Sequence, residues 1–86
     1  MKEKRMENTK EYKSNDFYQS VVLKTIGFPL LRLEKSSSRF FFFVFADPDN
    51  KAKEAIEKYW NSEITVDARK LIENINELKT RIYSQN

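Results

Sequence analysis

Apolar and polar positions along the chain change period several times, and each change marks an element. Ser14-Asn15-Asp16 supplies side-chain oxygens able to accept from the orphan amides of a helix start, and Asp16 with Gln19 three residues later has capping-box spacing. Phe17, Tyr18, Val21, Val22, Thr25 and Ile26 then recur at steps of three and four, which lines one helical face and predicts a helix over 16–26. Gly27, the only glycine in the chain, follows the last apolar position, and Pro29 prevents continuation.

The period then shortens to two. Residues 28–35 read as a strand with Leu31 and Leu33 on one face and Leu30, Arg32 and Glu34 on the other. Ser36-Ser37-Ser38 lacks the Asn-Gly chemistry of a tight hairpin turn, so a looser loop is expected. Residues 39–46 form the second strand, because six consecutive aromatic or β-branched side chains from Phe40 to Phe45 suit a pleat better than a helix. Phe41, Phe43 and Phe45 share one face; Phe40, Phe42 and Val44 share the other. Neither face is polar, so both need cover.

A second helical pattern follows Asp47-Pro48, a cap with a helix-ready proline behind it. Ala52, Ala55, Ile56, Tyr59 and Trp60 give an apolar stripe over 48–60. Ile64 and Val66 flank Thr65 and predict a short third strand at 63–66. Asp67 caps a last helix whose face runs through Ala68, Leu71, Ile72, Ile75, Leu78, Ile82 and Tyr83, with Glu77 and Arg81 spaced as an i,i+4 ion pair. The predicted class is α+β: an antiparallel hairpin, extended by a third short strand, packed against three helices in the order α-β-β-α-(β)-α.

Charge divides the chain. Residues 1–13 hold five basic and three acidic residues and carry two of the three net positive charges; they read as a flexible, solvated tail ahead of a single domain over 14–86. The folded part is nearly neutral, which weakens bulk charge as an argument for nucleic acid. With 86 residues the core is small, and roughly 60–65% of the unfolded surface is hidden. The absence of His and Cys removes disulfides, imidazole or thiolate metal sites, and Ser–His or Cys–His catalysis. No glycine loop cradles a phosphate. Neither an enzyme nor a cofactor or metal is therefore expected, and no apolar run approaches the roughly 20 residues of a membrane span. A cytoplasmic protein is the expectation.

Several motifs occur together in a familiar order. They are Phe17-Tyr18, Gly27-Phe28-Pro29-Leu30-Leu31, Phe43-Val44-Phe45-Ala46-Asp47-Pro48, Tyr59-Trp60-Asn61, Val66-Asp67-Ala68-Arg69, and Leu78-Lys79 before Tyr83. In these the chain resembles, over residues 12–83, a family of small prokaryotic domains catalogued as a domain of unknown function. The four-Phe run and the Ser36-Ser37-Ser38 loop depart from that pattern, where a glycine-bearing turn is expected. The resemblance implies the element order and brings no activity or catalytic residues with it.

Two surfaces are candidates for function. Phe40, Phe42 and Val44, with Tyr59 and Trp60, form a candidate protein-interaction surface, since large apolar patches are either hidden or are interfaces. Two hairpins pairing across a twofold axis would bury the second Phe face and one sheet edge together, so a homodimer is one expected form. Arg32, Lys35 and Arg39 near the hairpin tip, with Arg69 and Lys70 at the start of the last helix, are candidate phosphate contacts for a nucleic-acid-binding accessory protein aided by the basic tail. A winged helix–turn–helix is a weaker variant of that reading, because its turn lacks glycine. Asp47 and Asp49 are explained by capping and the helix dipole rather than by a cation.

Overall fold

The computed structural model describes residues 10–36 and 40–84. Six elements follow one another: β1 (Glu11–Ser14), α1 (Phe17–Thr25), β2 (Leu30–Lys35), β3 (Phe41–Ala46), α2 (Ala52–Trp60) and α3 (Ala68–Ser84). The three strands make one antiparallel sheet in the order β1-β3-β2. The α+β class, the hairpin and the three helices are as expected. The Phe-rich strand takes the centre, where both of its edges are paired.

The third strand is not where the pattern placed it. Residues 63–66 carry no ladder; Ile64 and Val66 are half-buried in the connection between α2 and α3. The strand that completes the sheet is Glu11–Ser14, within and just beyond the segment read as a tail, so the ordered domain begins before residue 14. The rest of that segment, residues 1–9, lies outside the described residues. With only Tyr12 apolar, β1 has almost no strand signal of its own. Its pairing with Phe43–Ala46 is dictated by the β3 backbone, whose buried N–H and C=O groups need partners.

The face assignment on β2 is also corrected. A β-bulge between Leu30 and Arg32 shifts the register, so Leu30 opposes Phe45 and Leu33 opposes Phe43 on the helix side, while Leu31 is exposed. One extra residue moves everything on one side of it to the other face. The hydrophobic pattern alone had paired Leu31 with Leu33.

Helix ends follow local chemistry. Asp16 Oδ1 accepts from the Gln19 N–H at 2.9 Å and caps α1. At the other end Gly27 sits at φ +116°, where the Phe28 N–H donates to the Leu23 carbonyl and the Gly27 N–H to that of Lys24; this is a Schellman closure that needs a residue without a Cβ penalty. α2 begins four residues later than predicted. Asn50 at φ 59° breaks any helix started at Pro48, and the buried Asp47 carboxylate reaches forward to accept from the Lys51 N–H at 2.7 Å and the Ala52 N–H at 3.2 Å. α2 closes without glycine: Ser62 takes φ 60°, and the Glu63 N–H donates to Lys58. Asp67 caps α3 through the Arg69 and Lys70 amides.

The core lies between the inner sheet face and the helices. Phe43 and Phe45 pack with Val21 and Leu23 of α1, Ala52 and Ile56 of α2, and Leu78 of α3. Both α2 and α3 pack chiefly on α1. Lys24 pairs with Glu77 at 3.4 Å and the Asn74 amide donates to Thr25 Oγ1 at 3.0 Å, tying α3 to α1. Glu77 therefore turns to another helix instead of to Arg81.

Candidate interaction surfaces

The outer sheet face carries a charged lattice above an apolar strip. By register, Glu11 and Lys13 of β1, Phe42, Val44 and Ala46 of β3, and Arg32 and Glu34 of β2 share this face. The Arg32 guanidinium grips Glu11 through both carboxylate oxygens at 2.9 and 3.1 Å and donates to Glu34 Oε2 at 2.8 Å. Lys13 Nζ reaches the other Glu34 oxygen at 3.0 Å. These bonds cross over β3 from one edge strand to the other, and Val44 beneath them has 0% of its surface exposed. Cover for the second face thus comes from the chain's own long side chains, whose aliphatic stems shield apolar atoms while their heads stay wet.

This arrangement revises both candidate sets. Val44 cannot contact a partner, because it is sealed. Phe42 is half-buried beside it, whereas Phe40 is exposed. Tyr59 and Trp60 pack against each other at a tilt of 60° with ring centroids 5.3 Å apart at the end of α2, Trp60 being 65% exposed. Among the described residues no ring contact joins them to the hairpin rings, so the predicted aromatic surface is two separate patches.

The phosphate contacts are likewise dispersed. Arg32 is committed to two carboxylates. Arg69 pairs along its helix with Glu73 at 3.5 Å. It and Lys70 stand about 18 Å along the α3 axis from Arg81, which lines a groove beside β2, at 1.5 Å per residue. Lys35 is exposed at the end of β2. Arg39, with Ser37 and Ser38 of the hairpin loop, lies outside the described residues. The helix–turn–helix geometry is not formed: residues 61–67 make a longer connection, and α2 and α3 pack on α1 rather than chiefly on each other. No group of three or more acidic side chains among the described residues gathers to hold a metal, and none of the described helices is long and apolar enough to cross a membrane.

One surface was missed. Phe17 and Tyr18 of α1 with Lys79, Ile82 and Tyr83 of α3 line a notch of about 220 Å³. Phe17 turns inward, edge-on to Phe43 at 6.3 Å, while Tyr18 packs edge-on against Phe17 at 5.1 Å and is 59% exposed; Tyr83 is 70% exposed. The signal was present in the pairs Phe17-Tyr18 and Ile82-Tyr83. Adjacent helical residues point about 100° apart, so only one of each pair can face the core.

The charged lattice has a pH signature. Hydrogen bonding from Arg32 holds the Glu11 carboxyl below its ordinary value of 4.5, and Lys13 followed by Arg32 does the same for Glu34. Carboxyls lowered in the folded state stabilise it fully above about pH 4.5, and that contribution is lost as pH falls through their folded values. Between about pH 5 and about pH 3 the melting temperature should therefore fall, and Glu11→Gln should flatten that fall. An identical slope in the variant would show that the pair is energetically silent.

A family described as "Domain of unknown function (DUF5659)" matches residues 9–84. No curated protein and no solved structure matches the chain. The match takes in all six elements, including the β1 strand, and the chain belongs to the DUF5659 family.

Proposed function

We propose that this domain is a non-enzymatic protein-interaction module whose binding face is the notch between α1 and the last turns of α3. The reading is supported by one observation above the others: Tyr18 and Tyr83 stand largely in water on two helices that are locked together, although Phe43 and Phe45 already fill the core. Exposed tyrosines on rigid elements supply a large contact area at small entropic cost, and such residues dominate binding energy at interfaces. Trp60 on its Tyr59 neighbour is a second, separate anchor of the same kind. A second copy of the chain is one partner such a face accepts.

The alternative, an accessory nucleic-acid-binding protein, has weaker support, since Arg32 is neutralised and the remaining cations are scattered. Binding of a generic oligonucleotide at low salt would favour it.

The test is the double variant Tyr18→Ala/Tyr83→Ala. Each change is at an exposed position, so stability should stay within about 0.5 kcal/mol per site. Affinity capture from cell extract and light scattering at high concentration are then compared with the wild type. Loss of a captured protein or of self-association is the expected result. A variant that captures the same proteins and has the same mass in solution would sink the reading.

A further inference from the structure

From the open edge of β2 we infer a docking site for an extended, acidic segment of a partner protein, which adds to the sheet as a fourth strand and is held by Arg81 and Lys35. The inference goes beyond the tyrosine notch, and it rests on the reading of the domain as a protein-interaction module.

Three features converge on this edge. The first is the backbone. β2 is an outer strand, and the Ser36 N–H donates to the Phe40 carbonyl at 2.9 Å at the start of the hairpin ladder. Antiparallel pairing alternates bonded and non-bonded residues, so Glu34 and Arg32 turn their peptide groups toward β3, and Leu33 and Lys35 turn theirs outward. The bulge at Leu31 ends this regular run on one side. What remains is a short stretch with a donor and an acceptor at each of two alternate residues.

The second feature is a groove beside that stretch. The last turns of α3 form its far wall, and Leu31, Arg32, Leu33, Arg81 and Ser84 line a space of about 330 Å³. Leu31 is exposed there although it is apolar.

The third is charge. Arg81 is half-buried and has no carboxylate within ion-pair distance among the described residues; Glu77, four residues earlier, is taken by Lys24. The other half-buried cation among the described residues, Lys24, is paired, so Arg81 is distinctive. By register Lys35 shares the helix side of the sheet with Leu33, about 7 Å along the strand. The nearby acids, Glu11 and Glu34, are both on the opposite face and engaged with Arg32 and Lys13. Among the described residues the helix side of this edge is therefore cationic without local compensation. A strand whose alternate side chains are carboxylates would pair its backbone with Leu33 and Lys35 while offering acids to Arg81 and Lys35 on the helix side. Backbone bonds supply affinity in this mode and the side-chain contacts supply selectivity.

The competing reading is that the cations only guard a bare edge against pairing. A soluble peptide alternating glutamate with threonine or valine separates the two when titrated into the full chain at low salt. Saturable binding is expected, with slowed amide exchange at Leu33 and Lys35, about a tenfold loss in Arg81→Glu, and abolition when alternate peptide amides are N-methylated. Tyr18→Ala/Tyr83→Ala should bind the peptide as the wild type does. The inference is overturned by no binding, by equal binding of a lysine-for-glutamate peptide, by equal binding to Arg81→Glu, or by a dimer in which the β2 edge is covered by its own copy. If the peptide fails while the tyrosine variant loses its partner, the docking edge is wrong and the interaction module stands.

Discussion

Phe43→Ala should lower the free energy of unfolding by about 3–5 kcal/mol, the usual loss when a buried ring is cut back to a methyl. A domain of 86 residues holds roughly 4–13 kcal/mol in all, so about a quarter or more of its stability goes with one ring. The expectation follows from position. Phe43 is 2% exposed, faces α1 and α3 from the central strand, and supplies the ring against which Phe17 is set edge-on. Neighbours on a sheet held from both edges have little room to collapse into the void, which places the loss toward the upper end. Denaturant titration reads it as a lower midpoint at unchanged slope. Phe40→Ala, at an exposed position one residue before the strand, should stay within about 0.5 kcal/mol. Equal effects at the two sites would mean that the inner and outer rings had been confused.

The second large effect is Leu78→Ala, at about 2–5 kcal/mol. Leu78 is the one fully buried side chain among the described residues of the 17-residue α3, with Leu71, Ile75 and Ile82 only partly covered around it. A helix held by one deep knob and a partly exposed stripe depends on that knob. Its ties to α1 through Lys24–Glu77 and Asn74–Thr25 are at or near the surface and contribute little by comparison. Besides a lower midpoint, amide exchange should accelerate in α3 more than in β3. Ile72→Ala, one face away and exposed, should do neither. Uniform acceleration throughout the chain would instead show that α3 opens only with the whole domain.

Much of the architecture was legible because its signals are local. Asp16, Gly27 and Asp67 mark helix ends through hydrogen bonds spanning five residues or fewer, and the chain alone contains both partners. The grouping of Phe41, Phe43 and Phe45 on one strand face, and the α3 stripe through Leu78, follow from periods of two and 3.6, whereas which Phe face turns inward does not, because neither face is polar. The errors share a cause. β1 was hidden because Glu-Tyr-Lys-Ser carries little intrinsic preference; its strand conformation is induced by an edge contributed from about thirty residues away. The Leu31 bulge was hidden because a one-residue slip has no local mark. Proline after Asp47 suggested an immediate helix start, and only the left-handed Asn50 reveals the intervening turn.

The candidate site was less legible than the fold. Both faces of the Phe strand were correctly seen to need cover, but the identity of the cover was not readable: a partner, a helix and a lattice of charges are equivalent in a hydrophobicity pattern. Arg32 appeared free for phosphate because its acceptor Glu11 lies 21 residues earlier, and long-range ion pairing leaves no periodic trace.

By itself the sequence determined the α+β class, where α1 ends and the exclusion of imidazole and thiolate chemistry, since all of these depend on residue type and short-range spacing. The tertiary structure alone decided that Glu11–Ser14 joins the sheet, that charges rather than a second subunit seal Val44, and which tyrosines and cations are left facing water. Those outcomes are set by pairing and ion contacts between distant segments, whose closure entropy is repaid only once the core has formed.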